Sequence, residues 1–395
     1  MTDDARMKVL FVINGLGTGG AERSLAELLP WLGANEIDPV VTCLFARDEG
    51  VEEAVRSSGV EVQVLTGKAL PGRVVSLRRL IRSHRPAIVH TSIFQSDLAG
   101  RVAAAGSDAA LVTSLVNTPY DAVRLRDPNV RRLSLRAARW VDGWTARNMT
   151  THFHAVSESV KRAAVDDLRI PPDRITVVPR GRDPERLGVP SAARRLATRR
   201  ALGWASDDEV IVTVGRHEFQ KGHRYLLEAA ARLLPTRPRL RVIVAGRRGN
   251  ASADVEALRR SLHLGDQVRL LGHRDDVPNL LAAADLFVFP SLYEGFGGAL
   301  IEAMALGLPI VASDVPAIRE VVEEGRNAVL VPRGDPHALA GAIGALLDRA
   351  EQREAFGRAS RRRFEERFTL ESVVPQMVEL YRSVAASRGP GRVAA

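Results

Sequence analysis

The chain has 395 residues, of which 45% are hydrophobic and 26% are charged, with a formal net charge of +9. This length exceeds what a single hydrophobic core usually supports, so two domains are expected. No apolar run reaches the ~18–20 residues of a membrane span, and one cysteine, Cys43, excludes an internal disulfide.

The compartment and the nature of the partners follow from the same composition. The start "MTDDARMK" is acidic and unlike a signal peptide, so a cytoplasmic location is expected. Nearly all the basic residues are arginine, and no zinc finger, helix-turn-helix or RNA-binding aromatic motif accompanies them. We therefore expect no nucleic-acid partner. The sequence does not indicate an oligomeric state.

Strand-like and helix-like runs alternate from end to end, which is typical of a doubly wound α/β protein. In the first half, strands are predicted at 8–13, 39–45, 60–65, 87–90, 110–115 and 152–156. The Pro-, Gly- and Arg-rich segment 183–208 is interpreted as a linker between domains 1–182 and 209–370. The second domain is predicted from "EVIVTVG", "RLRVIVAG", "QVRLLG", "DLFVFP", "LPIVAS" and "NAVLVP". Residues 371–395 are expected to form a helix returning to the first domain, then a flexible tail.

A glycine cluster follows the first predicted strand. Residues 15–20, "GLGTGG", satisfy G-x-G-x-x-G and open a helix-like run. Such a turn aims backbone amides at phosphate. A dinucleotide site also needs an acid after the second strand, and Asp48 is only loosely placed for that role. The cluster alone leaves open both an NAD(P)-dependent oxidoreductase and another phosphate-binding protein.

Two cations lie at the end of the strand in "VTVGRHEFQKGHRYLLEAA". Arg216 ends the strand and Lys221 precedes a helix, so together they can neutralise a pyrophosphate without a metal. The segment lacks the Gly-Lys-Ser/Thr sequence of a P-loop. It is also not a zinc-binding helix, because Lys221 stands four residues after His217, where a second histidine ligand would be required. The alternative is an ordinary surface pair.

The densest motif is "DLFVFPSLYEGFGGALIEAM". A predicted strand leads to Glu294 on a turn, then to a helix in which Gly298 and Glu302 share one face. Amides at the helix start suit a diphosphate, Glu302 suits a ribose diol, and Glu294 suits sugar hydroxyls. The alternative is that Glu294 caps the helix and Glu302 is solvated.

These motifs, with "GTGGAERS", "FHAVSESV" and "LLGHRDDVPNLLAAAD", resemble the retaining glycosyltransferases of family 4, from residue 8 to about residue 381. The resemblance implies the GT-B fold, two Rossmann-like doubly wound parallel-sheet domains facing a central crevice. It implies a nucleotide-sugar donor, linked to UDP or GDP, and a sugar, lipid-linked or small-molecule acceptor. A nucleotide-sugar epimerase or a phosphorylase of the same fold is the alternative within it.

The resemblance also assigns residues. Arg216 and Lys221 would hold the diphosphate, Glu294 would contact the transferred sugar, and Glu302 would contact the ribose. The other implied donor contacts are Gly19 and Gly20 from the first domain, and Gly272, His273, Arg274, Gly295, Phe296, Gly297 and Gly298 from the second. No metal or other cofactor is expected, and no Asp-x-Asp triplet occurs in the chain.

The sequence departs from the family pattern in two places. Many members carry a histidine after the strand at 110–115, where this chain has Val116 and Asn117. The contact of that histidine with the sugar or acceptor would fall to Asn117, His90 or His154, or would be lost. The usual "PNGVD" reads "PRGRD", which adds the cation Arg180.

The segment "NVRRLSLRAARWVDGWTARNMT" predicts an amphipathic helix with one apolar stripe. The stripe comprises Leu133, Ala137, Trp140, Val141 and Trp144. Arginines lie largely off the stripe, so a peripheral contact with an anionic membrane is one interpretation. Packing of the stripe in the core is the favoured one, because this segment is usually buried in the family.

Overall fold

The structure is a computed structural model that describes residues 6–66 and 69–387. The chain forms two compact units. The first contains the described residues up to Tyr120, residues 131–182 and the chain from Leu370 onward. The second contains residues 121–130 and 183–369. The tail expected at 388–395 and the acidic residues 1–5 lie outside the described residues.

The first unit is built on a parallel sheet in the order β3-β2-β1-β4-β5-β6-β7. Its strands are β1 (Met7–Ile13), β2 (Ile37–Cys43), β3 (Glu61–Val64), β4 (Ile88–Ser92), β5 (Ala110–Leu115), β6 (His152–Ala155) and β7 (Ile175–Val177). Its helices are α1 (Gly20–Ala34), α2 (Glu52–Ser57), α3 (Leu70–His84), α4 (Phe94–Ala104), α5 (Arg132–Met149) and α6 (Glu158–Leu168), with α16 (Leu370–Ala386) from the C-terminus.

The central strand β1 is buried on both faces, as its unbroken apolar sequence requires. Val9, Phe11 and Ile13 face a core shared with α1 and α16. Leu10 and Val12 face the opposite core, shared with α3 and α4. Because successive side chains of a strand alternate between faces, this one strand organises both layers of helices.

A directed chain of hydrogen bonds fastens α16 to the sheet. Burial lowers the pKa of both His90 and His154, so each ring is neutral and carries one N–H. His154 Nε2 lies 2.9 Å from the Val178 carbonyl oxygen and must donate, so its Nδ1 accepts from Ser114 Oγ at 2.9 Å. Ser114 then accepts from His90 Nε2 at 2.7 Å, and His90 Nδ1 accepts from the Tyr381 hydroxyl at 2.6 Å.

The second unit is built on a parallel sheet in the order β10-β9-β8-β11-β12-β13. Its helices are α7 (Pro184–Leu187), α8 (Ala192–Ala201), α9 (His223–Leu233), α10 (Ser252–Ser261), α11 (Val277–Ala283), α12 (Gly298–Ala305), α13 (Pro316–Val321), α14 (Pro336–Leu347) and α15 (Ala350–Arg367). Its strands are β8 (Glu209–Val214), β9 (Leu240–Ala245), β10 (Val268–Gly272), β11 (Leu286–Phe289), β12 (Ile310–Ser313) and β13 (Ala328–Val331).

Two segments are placed differently from the sequence interpretation. Residues 183–208, interpreted as a linker, form α7 and α8 within the second unit, where buried Arg199 donates to Asp285 Oδ2 at 2.7 Å. Residues 121–130, assigned by sequence to domain 1–182, also belong to the second unit, because Val123 packs against Leu292 and Tyr293. Both placements depend on long-range contacts that local composition does not encode.

The doubly wound α/β class expected from the sequence is confirmed, with one strand missed. The predicted strands all occur, with ends that differ by at most two residues from the prediction. Strand β7 has only three residues at the sheet edge, too few for a periodic pattern. None of the described helices is long and apolar enough to cross a membrane.

The favoured interpretation of α5 as a core-packed helix is wrong for its apolar stripe. Leu133 is 80% exposed, Trp140 71% and Trp144 46%. The helix instead buries a small and polar face made of Asp142, Gly143, Thr145 and Ala146. This face suffices because Asp142 pairs with Arg101 of α4 at 2.7 Å, an anchor that a hydrophobic pattern cannot reveal.

The two buried histidines predict an acid-sensitive first unit. Burial lowers the pKa of His90 to about 3 and that of His154 to about 4. Unfolded imidazoles take up protons below pH ~6.5, whereas the folded rings stay neutral. The unfolded state thus binds more protons, so stability falls with falling pH, by up to about 1.4 kcal/mol per pH unit for each ring.

Urea unfolding between pH 7 and pH 5, followed by tryptophan fluorescence, measures this effect. Three of the four tryptophans, Trp31, Trp140 and Trp144, report on the first unit. His154→Gln should flatten the pH dependence, and a change at exposed His337 should leave it intact. An equally steep dependence in His154→Gln would contradict this role.

Candidate active site

Lys221 is carried on a tight turn between β8 and α9 in the second unit. The turn ends at Gly222, whose φ is +63°, and then α9 begins. A Cβ at Gly222 would lie 2.1 Å from the Pro290 carbonyl oxygen. Two features therefore require glycine at this position: the left-handed backbone conformation and the close approach to the segment that follows β11.

Hydrogen bonds fasten this turn to that segment. The Leu292 amide donates to the Gln220 carbonyl oxygen at 2.8 Å, and Gln220 Nε2 donates to the Tyr293 carbonyl oxygen at 2.9 Å. The loops after β8 and β11, which are adjacent strands of the sheet, thus form one rigid platform. The platform places Lys221 beside Glu294.

Lys221 and Glu294 form the central ion pair of the site. Lys221 Nζ lies 2.5 Å from Glu294 Oε1, and also 5.4 Å from the ring centre of Phe289. The side chains are 20% and 6% exposed, respectively. A carboxylate this deeply buried needs its cation, so the two residues that the sequence placed in separate motifs depend on each other.

Arg216 lies on the same sheet edge but is open to solvent. Its side chain is 50% exposed and its Nη1 lies 3.6 Å from Glu218 Oε1. An exposed arginine with one loose partner can turn towards an incoming anion. The site thus combines a fixed cation, Lys221, with an adjustable one.

His223 is a residue of this site that the sequence analysis did not assign. Its Nε2 lies 3.2 Å from the carbonyl oxygens of both Gly215 and Arg216, so this nitrogen is the donor. Burial lowers the pKa of His223 to about 4, and the ring is neutral. It fixes the backbone that carries Arg216. Its position directly after Lys221 and Gly222 was the available signal.

The start of α12 provides the amide side of the site. Gly297 precedes the helix with φ of +90°, and α12 begins at Gly298. Glu302 lies one turn further along and is partly buried. Gly295 and Gly297 are buried. The Phe296 ring packs edge-on against Phe368 at 5.7 Å between centres, so its side chain supports the turn from within.

The implied donor contacts Gly272, His273 and Arg274 lie at the end of β10 and directly after it. Gly272 has φ of +68° and ends that strand. The Arg274 guanidinium donates to both carboxylate oxygens of Asp276, at 2.8 and 2.7 Å. His273 Nε2 lies 3.3 Å from Asp275 Oδ1 near solvent. These pairings hold the side chains, which leaves the backbone as the part that a base could contact.

The predicted residues of the first unit lie around the start of α1. Gly20 is the first residue of this helix, and its carbonyl oxygen accepts from Arg180 Nη1 at 3.1 Å. Glu22 lies over Gly19, since a Cβ there would be 2.3 Å from its Oε2. The glycine cluster and the added cation Arg180 therefore share one end of the first unit.

The histidines considered as substitutes for the missing one lie in a pocket of about 70 Å³ in the first unit, together with Val116. Both nitrogens of His90 and of His154 are engaged in the chain from Tyr381 to Val178. Contact with a sugar would require one of these bonds to break. Asn117 follows Val116 in the chain, and its Oδ1 accepts from the Thr118 amide at 2.9 Å.

No group of three or more His, Cys, Asp and Glu residues placed to hold a metal occurs within 6–66 and 69–387. The predicted site residues are thus distributed over the two units. Gly19, Gly20, His90, Asn117 and His154 lie in the first. The cations, the two glutamates and the remaining glycines lie in the second.

Two family models match the chain. The model described as Glycosyltransferase Family 4 matches residues 18–186, and that described as Glycosyl transferases group 1 matches residues 195–363. The chain is 30% identical over 372 residues to the phosphatidyl-myo-inositol mannosyltransferase of Mycobacterium leprae, covering 87% of this chain and 93% of that protein.

Other similarities are either shorter or more distant. A D-inositol 3-phosphate glycosyltransferase of Corynebacterium urealyticum is 35% identical over 53% of this chain and 51% of its own length. The chain spans about half the length of several curated relatives that it matches. The structure of Anabaena HepE in complex with UDP-glucose superposes with a TM-score of 0.83 at 23% identity, covering 95% of this chain and all of that one. The GT-B fold expected from the sequence is confirmed.

The close approach at Gly222 can be tested against a matched glycine. Gly203 also has positive φ, +70°, but no atom lies within 4 Å of a Cβ built on it. Gly203→Ala should lose about 1 kcal/mol from backbone strain alone. Gly222→Ala should lose about 1–3 kcal/mol more, because Pro290 must move. Equal losses in unfolding free energy would show that the contact with Pro290 is unimportant.

Proposed function

We propose that this chain, which belongs to glycosyltransferase family 4, transfers a sugar with retention from a nucleoside-diphosphate sugar, linked to UDP or GDP, to an acceptor. The observation that carries the proposal is the Lys221–Glu294 pair on the sheet edge where Arg216 and the start of α12 also lie. A diphosphate there would meet two cations and a helix N-terminus. A sugar attached to it would meet a carboxylate.

The chemistry required is stabilisation of the leaving group. As the glycosidic bond breaks, negative charge develops on the diphosphate, and binding must strengthen as it does so. Lys221 is preorganised by the turn at Gly222 and by its neighbour Phe289. Arg216 is free to move onto the second phosphate. Lys221 and Arg216 together supply this stabilisation in our proposal, and no metal takes part.

The ion pair suggests how donor binding is coupled to sugar contact. Lys221 holds Glu294 at 2.5 Å. When a phosphate shares the Lys221 ammonium, one oxygen of Glu294 becomes available to accept hydrogen bonds from sugar hydroxyls. The Lys221–Glu294 pair would therefore contact both the phosphate and the sugar of the donor. Glu302, one turn into α12, would hold the ribose.

The acceptor is proposed from the relatives and from the first unit. The relative from Mycobacterium leprae is named for a lipid acceptor and the one from Corynebacterium urealyticum for a phosphorylated inositol. The acceptor proposed here is accordingly a sugar, a lipid-linked molecule or a small molecule, bound by the first unit near Arg180. We further propose a cytoplasmic protein with peripheral membrane contact.

A nucleotide screen separates this proposal from its alternatives. UDP or GDP should raise the melting temperature, whereas NAD(P) should not. Stabilisation by NAD(P) alone would favour an oxidoreductase, and conversion of the free nucleotide sugar without acceptor would favour an epimerase. Either result would overturn the transferase assignment.

Removing the fixed cation should abolish most of the turnover. Lys221→Ala should reduce kcat on the order of 10² to 10³-fold, the typical cost of one transition-state donor. Arg224→Ala, which changes an exposed arginine three residues away, is the matched control and should keep wild-type turnover. Because Lys221→Ala strands a buried carboxylate, Lys221→Ala/Glu294→Gln serves to check that lost activity is not lost folding.

The same mechanism predicts that activity survives chelation. With Arg216, Lys221 and the amides of α12 facing the diphosphate, transfer should proceed unchanged in EDTA. Product formation from a donor panel with cell lipid and polysaccharide extracts, analysed by mass spectrometry, provides the assay. Loss of activity in EDTA with rescue by magnesium would contradict the proposed role of the cations.

A further inference from the structure

The apolar stripe of α5 lies exposed on the surface of the first unit. Leu133, Trp140 and Trp144 recur at helical spacing and are 80%, 71% and 46% exposed. Val141 beside them is 36% exposed. A helix of a soluble protein ordinarily turns such residues towards the core. Two tryptophans that lie one turn apart and face solvent therefore indicate a binding surface.

The charges around the stripe select among possible occupants. Arg132 and Arg136 are exposed next to it and form no ion pair with any described residue. The helix contains one acidic residue, Asp142, which lies on the opposite face and is buried against Arg101. The outward surface of α5 therefore combines apolar side chains with charged side chains that are all cationic.

The remaining arginines of the helix are already engaged. Arg139 lies 3.1 Å from Asp167 of α6, and Arg147 Nη1 donates to the Leu168 carbonyl oxygen at 2.5 Å. These contacts hold α5 flat against α6 and α4. The helix thus presents its stripe as a rigid surface, with Arg132 and Arg136 left to contact an anion.

We infer that the stripe of α5 docks on an anionic lipid surface, with the tryptophan rings in the interfacial layer and Arg132 and Arg136 on lipid phosphates. Tryptophan suits this layer because its ring is apolar and its N–H is polar. Arginine pairs with phosphate in a bidentate geometry. The inference deepens the peripheral contact of the proposed function by naming the surface and the lipid chemistry.

A second copy of the chain fits the stripe less well. An isologous contact would bring the Arg132 and Arg136 of two copies to the same interface. No carboxylate on the outward face of the helix would compensate this repulsion. Lipid phosphates provide that compensation without a matching protein surface.

Co-sedimentation with vesicles tests the inference on the full-length protein. The wild type should sediment with vesicles of phosphatidylcholine and phosphatidylglycerol at low salt, should be released by high salt, and should remain in solution with phosphatidylcholine alone. Failure to bind the anionic vesicles at low salt would overturn the inference.

Substitutions on α5 test whether this helix is the surface that binds the vesicles. Trp140→Ser and Trp144→Ser should each lower the partition coefficient on the order of tenfold. Arg132→Gln and Arg136→Gln should each lower it about fivefold. Controls in the second unit are Val189→Ser, at a residue 75% exposed, and Arg362→Gln on α15. Equal binding by the Trp140 and control variants would overturn the role of α5.

Two further measurements keep the outcomes distinct. Stabilisation by UDP or GDP should be unchanged in Trp140→Ser, so loss of vesicle binding with intact nucleotide response isolates the membrane contact from the transferase proposal. Light scattering of the wild type should give a mass that Trp140→Ser does not alter. A dimer that this variant dissociates would identify a second copy as the occupant and overturn the lipid assignment.

Discussion

The approach of the Gly222 turn to Pro290 is the constraint on which the candidate site depends. At this point the backbone after β8 passes so close to the backbone after β11 that no side chain fits between them. Lys221 and Glu294 meet because of this approach, and hydrogen bonds of Gln220 keep the two loops in register. The fixed position of the cation follows from the path of the backbone rather than from the flexible lysine side chain.

The parallel sheets explain why this edge carries chemistry at all. In a parallel sheet every strand delivers its carboxyl end to the same side, where helices begin and amides are unpaired. Arg216 after β8, Glu294 after β11 and Gly272 at the end of β10 are brought to one edge by this rule. In the first unit the same rule places the glycine cluster at the carboxyl end of β1.

The first unit uses a buried polar chain where the second uses an ion pair. From Tyr381 through His90, Ser114 and His154 to the Val178 carbonyl, each donor is fixed by the acceptor that follows it. This chain joins residues far apart in the sequence, since Tyr381 of α16 lies 291 residues after His90. It explains why the C-terminal helix belongs to the first unit, and why two histidines can be buried without charge.

The sequence by itself determined the α/β class, the twelve longer strands, the family resemblance and the residue types of the donor motifs. These features are local, set by apolar periodicity, glycine at turns and fixed motif spacing. Tertiary structure alone decided that Lys221 contacts Glu294, that His223 holds the backbone of Arg216, and that residues 121–130 and 183–208 fold with the second unit. It also decided the orientation of α5. Helical periodicity shows that an apolar stripe exists, but only the anchor between Arg101 and Asp142 determines that the stripe faces solvent.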